Sequence, residues 1–232
     1  MDAIRGGLAE LSGDDARHLT RVLRAEAGQR YEISDGQAAY LAEIAEARCQ
    51  RVVFRVIEPI ASAPPSVEIA LCAALVKFDR FEWTIEKATE LGVEAILPVE
   101  AARSEKGLLE ASRKRAARWE RIARESSQQS RRVAAPRILE AVRFEHALAR
   151  AAGHRYFLEE TEAPPLLRAL PAQTAAGESV ALLVGPEGGW TDAERAQAAA
   201  AGWQPAGLGP LVLRAETAAI AALAVIGNAW LR

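Results

Sequence analysis

Residues 182–191 read Leu-Leu-Val-Gly-Pro-Glu-Gly-Gly-Trp-Thr, with three glycines and a proline inside five consecutive positions. The apolar run before them, Ser179 to Val184, reads as a buried strand. Thr191-Asp192-Ala193-Glu194 after them reads as a capping box that opens a helix. In open α/β sheets, ligands bind beyond the carboxyl ends of strands. Glycines at such a turn let a ligand lie directly against main-chain N–H and C=O groups. A side chain placed at Gly188 is therefore expected to fill ligand space. The turn lacks the Gly-Lys-Ser/Thr ending of a phosphate loop and the GxGxxG dinucleotide pattern. Glu187 would repel a phosphate, so a neutral or cationic ligand is expected.

A second turn of the same kind follows. A short strand, about Gln204 to Leu208, runs into Gly209-Pro210, and Leu211-Val212-Leu213-Arg214 leads to a helix from Glu216 to Trp230. Two turns at successive strand ends can share one pocket. Taken alone, Arg214 reads as a salt-bridge partner of Glu216 or as a helix cap. The last helix is apolar on several sides, with Ile220, Leu223, Val225 and Ile226, so burial at a subunit interface or deep packing is expected. Trp83, Trp119, Trp190 and Trp203 read as core. Trp190, next to the glycine turn, is the one that could instead face a ligand. His18, His146 and His154 show no ligand spacing, and Cys49 and Cys72 form no CxxC pair. Neither a metal site nor a disulfide framework is expected.

Charge is uneven. The 232 residues carry a net −2, yet Arg103 to Arg137 holds eleven basic and four acidic residues. An excess of seven on one stretch fits either a phosphate-binding face or a solvated helix surface. Trp119, Ile122, Ala123 and Ser126 recur at helical spacing and leave Arg121, Glu125, Gln128 and Arg132 opposite.

These residues need a scaffold. Ala61 to Ser66, rich in Pro, Ala and Ser, reads as a linker between residues 1–61 and 66–232. Before it, a helix is expected over Asp14 to Arg24, capped by Ser12 or Asp14. Strands are expected at Tyr31–Ser34, Ala39–Ile44 and Arg51–Ile57, with Asp35-Gly36 as the hairpin turn. After it, strands at Val67–Leu75, Ala95–Val99, Arg155–Leu158 and Ser179–Val184 alternate with helices, the first over Phe81–Leu91 and stopped by Gly92. That order is the mark of an α/β fold with a parallel sheet covered on both faces. The longest apolar stretch, Ala218 to Ile226, is too short to span a bilayer, and the N-terminus lacks a signal-peptide pattern.

LLVGPEGGWTDAER (from Leu182) and LGPLVLRAETA (from Leu208) resemble the last two signature segments of the ribosomal RNA small subunit methyltransferase E family, the uridine-N3 methyltransferases of the SPOUT class. HLTRVLRAEAGQRYEISDG, from His18, resembles the start of that family's PUA-like RNA-binding domain. KFDRFEWTIEKATELGVEAILPV, from Lys77, and RWERIARESSQQSRRVAAPRI, from Arg118, resemble its catalytic-domain segments. The likeness runs in order through nearly the whole chain.

The resemblance implies an N-terminal PUA-like domain and a C-terminal α/β domain tied in a deep trefoil knot, a rare topology. It implies a cytoplasmic homodimer joined through the C-terminal domain. S-adenosyl-L-methionine would lie against Leu158, Leu183, Gly185, Pro186, Glu187, Gly188, Gly189, Leu208, Gly209, Leu213, Arg214 and Thr217. RNA would meet Arg21, Arg24, Lys77, Arg80, Arg103, Arg121, Arg124, Arg131 and Arg132. The reaction implied is methylation of N3 of a uridine near the 3′ end of 16S rRNA in the small ribosomal subunit, with Arg214 in the catalytic role. Another SPOUT enzyme acting on tRNA or a ribose 2′-hydroxyl, or a non-catalytic RNA-binding assembly factor, remain as alternatives. Gln128 stands where the family pattern has a glutamate, and Arg131 where it has a glycine.

Overall fold

The computed structural model describes residues 4–61, 67–173 and 177–230. The chain divides into two compact units, Met1–Pro64 and Pro65–Arg232. Most of the linker stretch, residues 62–66, lies outside the described residues.

The first unit is a four-stranded antiparallel sheet with a short helix. Its elements are β1 (Leu8–Ser12), α1 (Gly13–Arg17), β2 (Arg30–Ser34), β3 (Ala39–Arg48) and β4 (Arg51–Ile60), with strand order β1-β4-β3-β2. Val52 and Phe54 of β4 are buried between exposed Arg51 and Arg55, the alternation a half-covered sheet requires. They pack with Ala9, Ala16, Leu19, Ile33 and Ile44. Two expectations need correction. The helix expected to Arg24 is α-helical only to Arg17, continues as a π-helical turn over His18–Val22, and ends before Arg24 at φ +53°. Ser12 sits at its N-cap position without a side-chain capping bond. The β2–β3 connection is four residues long, because the Asp35 carboxylate accepts from the N–H groups of Gln37 and Ala38 and widens the turn.

The second unit begins with β5 (Val67–Ala74), α2 (Phe78–Glu90), β6 (Ala95–Glu100), α3 (Leu108–Ser112) and α4 (Ala116–Gln129). It continues with β7 (Arg137–Ile138), β8 (Val142–Arg143), α5 (Phe144–Ala147), β9 (His154–Leu158), α6 (Leu166–Ala169) and β10 (Glu178–Val184). It closes with α7 (Asp192–Ala200), β11 (Gln204–Ala206) and α8 (Ala215–Ala229). The strands order as β11-β9-β10-β5-β6-β7, with β8 also on β6, and every pairing is parallel. Helices cover both faces, so central strands are apolar on both sides. On β10, Val180, Leu182 and Val184 join one core with α2, α4 and α8, whereas Ala181 and Leu183 join the other with Phe144, Trp190 and Trp203.

Local spacing accounts for the helices. Phe81, Thr84, Ile85, Ala88 and Thr89 form the buried stripe of α2, and Gly92 at φ +86° ends its turn. On α4, Trp119, Ala123 and Ser126 are buried, and the Ser126 hydroxyl donates to the Glu86 carbonyl of α2. On α8, Ala219, Ala222, Leu223 and Ile226 are buried in their own chain, while Ile220, Ala221, Ala224 and Val225 are half-buried. Of the two expectations for this helix, deep packing holds for Ile226, which belongs to the internal core. Trp83 is not core, standing 45% exposed.

Candidate functional site

Strand order places the site. β11, β9 and β10 are parallel neighbours although the chain between them is long, so their carboxyl ends, and the loops that leave them, lie side by side. Those loops enclose an open cleft, at the strand ends where ligands of α/β sheets bind. Leu158, Glu159 and Glu160 line it after β9. Gly185, Pro186, Glu187, Gly189 and Trp190 line it after β10. Leu208, Gly209, Leu211 and Leu213 follow β11, and Val184, Ala215 and Ala218 complete it.

Main-chain bonds knit the loops. Glu159 N–H donates to Ala206 O at 2.9 Å, Leu166 N–H to Gly207 O at 2.8 Å and Gly207 N–H to Pro164 O at 2.8 Å. The indole N–H of Trp190 donates to Leu158 O at 2.9 Å, and its ring stacks on Phe157 at 4.8 Å. Trp190 is thus fully committed to the core and is no platform for a base, contrary to the sequence expectation. A Cβ on Gly185 would come 2.9 Å from that indole, so the glycine is the space the ring requires. Gly189 adopts φ +66°, and a Cβ there would overlap the Glu160 carboxylate. Gly188 differs, because its Cα faces the Arg103 side chain rather than the cleft.

Thr191 caps α7 through the reciprocal bonds expected of a capping box, and the buried Glu194 carboxylate also accepts from Ala102 N–H. Arg103 Nη1 donates to Gly188 O at 2.6 Å. The loop after β6 is therefore strapped to the glycine turn at Gly188 and to the first turn of α7 at Glu194.

Charges around the cleft are mostly paired. Arg80 forms an ion pair with Glu187 and lies 4.0 Å from Glu216. Arg214 lies 3.5 Å from Glu187, not on Glu216, and is 63% exposed. Glu159 is held by Arg195 through two bonds of 2.7 and 3.0 Å. Burial alone would raise the Glu159 pKa, but the Arg195 bonds and charge, with main-chain N–H groups of Thr161 and Glu160, hold it below the usual carboxylate range.

Of the residues named from sequence for the cofactor, Leu158, Gly185, Pro186, Glu187, Gly189, Leu208, Gly209 and Leu213 line the cleft. Leu183, Gly188, Arg214 and Thr217 do not. Leu183 is fully buried on the opposite face of β10 by strand alternation, and Thr217 is exposed on α8. Sequence reasoning did not single out Glu159, Glu160, Val184, Leu211, Ala215 or Ala218 as wall residues. Ala215 and Ala218 were legible as an i, i+3 pair of small residues; the two glutamates carried no such signal.

The arginines named for RNA divide sharply. Arg121, Arg124 and Arg131 are exposed, Arg121 lying 3.8 Å from Glu125, and Lys77 is exposed at the start of α2. Arg132 is half-buried and donates to Thr89 O at 2.8 Å, so its guanidinium braces the end of α2 instead of facing outward. Arg80 and Arg103 are engaged as described. In the first unit, Arg21 Nε donates to the Cys49 sulfur at 3.1 Å, and Arg24 is exposed. Among the described residues, no helix is long and apolar enough to cross a membrane, and no acid, His and Cys group could hold a metal.

Residues 63–227 match the RNA methyltransferase domain family and residues 11–57 the RNA methyltransferase PUA domain family. Ribosomal RNA small subunit methyltransferase E of Bacillus subtilis is 31% identical over 93% of this chain and 88% of its own length. Its Synechocystis counterpart is 34% identical over 90% of this chain and 69% of its own. The chain belongs to the ribosomal RNA small subunit methyltransferase E family. A structure of a family member from Neisseria gonorrhoeae, described as bound to S-adenosyl methionine, superposes with TM-score 0.88 at 28% identity, covering 99% of this chain and 96% of the other. A Legionella pneumophila methyltransferase in complex with the same cofactor gives 0.86 at 30% identity, with 99% and 95% covered. Membership gives the N-terminal sheet its place as a PUA domain and the cleft its place in an RNA methyltransferase domain.

Proposed function

We propose that this protein transfers a methyl group from S-adenosyl-L-methionine to N3 of a uridine near the 3′ end of 16S rRNA in the small ribosomal subunit. The observation that carries the reading is the cleft itself. Three loops at adjacent parallel strand ends bring Gly185 and Gly189 into the lining between leucine walls, in a chain whose relatives are named as small-subunit ribosomal RNA methyltransferases. The residues fit the cofactor: Leu158, Leu208 and Leu213 supply an apolar lining, the glycine turn supplies main-chain partners, and the wall carries carboxylates for a cationic ligand. When bound, the cofactor supplies an electrophilic methyl carbon on a sulfonium.

The chain must do the rest by positioning and electrostatics. The target base has to leave its stack to be reached. N3 of uridine becomes nucleophilic when its proton is lost, and a cation beside it stabilises the resulting charge. Arg214 is read in that role; its exposure and its 3.5 Å contact with Glu187 at the cleft rim support the reading. Arg124 and Arg131, exposed and without an ion pair among the described residues, are read with Arg121 as the phosphate-facing group on the catalytic unit. The N-terminal PUA domain is read as a second RNA contact through Arg21 and Arg24.

Two structural readings accompany this. The segment after β11 is bonded on both sides of Gly207 to the loop between β9 and β10 before α8 packs against β5 and α2, which supports a trefoil knot. Leu211 and Val212, 78% and 76% exposed, lie next in the chain to the half-buried outer side of α8, which supports a homodimer through this unit. We place the protein in the cytoplasm with its substrate. The test is mass spectrometry of nucleosides from small-subunit rRNA incubated with the purified protein and S-adenosyl-L-methionine. 3-Methyluridine is expected. A ribose-methylated or otherwise methylated nucleoside would change the target, and cofactor binding without any methylated product would make the protein a non-catalytic binder.

A further inference from the structure

The loop after β9 carries two consecutive carboxylates with opposite surroundings. Glu159 is 6% exposed and saturated: Arg195 donates to both its oxygens, and Glu160 N–H donates to Glu159 Oε1 at 3.1 Å. Glu159 N–H is itself bonded to Ala206 O. The main chain entering residue 160 is thus fixed, and the Glu160 side chain crosses the cleft onto Gly189. A Cβ at Gly189 would lie 2.9 Å from Glu160 Cδ and overlap Oε1. Among the described residues, Glu160 has no ion-pair partner.

The remaining acids about the cleft are matched. Arg195 answers Glu159, Arg80 and Arg214 answer Glu187, and Arg80 also answers Glu216. The rest of the lining is glycine, proline, leucine, valine, alanine and tryptophan. One carboxylate therefore stands uncompensated in an otherwise neutral wall. Glu160 is exposed, so water screens part of its field, yet no neighbouring cation cancels it for a ligand in the cleft.

We propose that Glu160 is a specificity-determining residue whose carboxylate selects the sulfonium form of the cofactor over its demethylated thioether. The proposal rests on the reading that the cleft binds S-adenosyl-L-methionine. In the transfer, the carbon–sulfur bond breaks with its electron pair left on sulfur, the methyl carbon bonds to N3, and the N3 proton goes to solvent. The ligand thereby loses one unit of positive charge while Glu160 keeps its negative one. The donor is held more tightly than the spent product, which favours exchange of one for the other after each turnover.

Titration calorimetry with S-adenosyl-L-methionine and, separately, S-adenosylhomocysteine tests this on the wild type, Glu160→Gln and Glu160→Asp. Glu160 is exposed, and the Gln variant is isosteric, so the melting temperature should stay at the wild-type value. Glu160→Gln should weaken the sulfonium ligand by about five- to tenfold and the thioether by less than about twofold, as expected for loss of one partly solvated charge contact. Glu160→Asp should keep most of the wild-type preference. Equal weakening of both ligands, or no change in either, would overturn the proposal. Failure of the wild type to bind either ligand would instead remove the cofactor reading of the cleft, and this inference with it.

Discussion

The indole N–H of Trp190 donates to the main-chain oxygen of Leu158, 32 residues earlier, across 2.9 Å. This one bond ties the glycine turn after β10 to the loop after β9, and the same ring fills the space left by Gly185. Trp190→Phe would keep much of the aromatic packing on Phe157 and Phe144 while orphaning a buried carbonyl. It should cost about 1–3 kcal/mol of stability. Trp83→Phe, on the exposed side of α2, should cost less than about 0.5 kcal/mol. Denaturant unfolding of the two variants checks the contrast, and equal losses would mean that the indole bond contributes nothing.

The three glycines of the turn should not respond alike. Gly185→Ala drives a methyl group against an indole already held by its hydrogen bond, by stacking on Phe157 and by a tilted contact with Phe144. Gly189→Ala forces a side chain into φ +66° and against Glu160. Gly188→Ala needs no positive φ and meets the Arg103 side chain, nearest at 3.3 Å, instead of the cleft. Affinity for S-adenosyl-L-methionine should fall by about tenfold or more for Gly185→Ala and Gly189→Ala, roughly 1.4 kcal/mol or above. It should stay within about twofold for Gly188→Ala. Calorimetry resolves these cases, and a Gly188 variant as weak as the others would place that residue back in the cleft.

That contrast also marks how far the sequence reaches. The parallel sheet, the capping box at Thr191 and the two glycine turns were legible because each rests on local periodicity or on a residue with unusual backbone freedom. Which side of β10 a residue faces also follows from alternation, yet Leu183 was assigned to the ligand because it belongs to a motif, and motifs ignore the pleat. Gly188 is a related case. A glycine signals a close approach without saying to what, and here the neighbour is Arg103, 85 positions away. Glu160 was not legible at all. Its isolation depends on Arg195 engaging Glu159, Arg80 engaging Glu187, and a strand order that brings β9 and β10 together, none of which has a local sequence signal.

Glu159 makes the protein sensitive to acid in a definite direction. Its pKa lies below the usual 4.5 in the folded protein, with the Arg195 bonds and charge outweighing burial. A depressed folded pKa gives stability that is fully present above the unfolded value and is lost as pH falls through the folded one. Stability should therefore decline below about pH 4.5, and part of that decline should vanish in Glu159→Gln, which is already less stable at neutral pH. Urea unfolding from pH 7 to pH 3 checks this. A Gln variant with the wild-type pH slope would show that the pair is formed equally in the unfolded chain.

The end of α4 separates arginines that hold the fold from arginines that face outward. Arg131 takes φ +57°, and the N–H groups of Arg131 and Arg132 bond to Gln128 O and Ser127 O, which is the pattern of a Schellman ending with arginine in the place of glycine. Holding a side chain in that conformation costs about 1–2 kcal/mol, so Arg131→Gly should stabilise the protein by about 1 kcal/mol after glycine's extra flexibility is counted. That cost is the physical ground for reading the Arg131 charge as directed outward rather than toward the fold. Arg132 is the opposite case. Its guanidinium is pulled below its usual pKa by burial and donates to Thr89 O, so Arg132→Ala should lose about 1–2 kcal/mol of stability. Arg124→Ala with Arg131→Ala should leave stability near or above the wild type, yet flatten the logarithmic salt dependence of RNA affinity by roughly one to two units. Filter binding across a salt series, beside thermal melts of the same variants, reads both effects. A double variant that binds RNA as the wild type does at every salt concentration would take α4 off the RNA surface and leave the strained Arg131 without a reason.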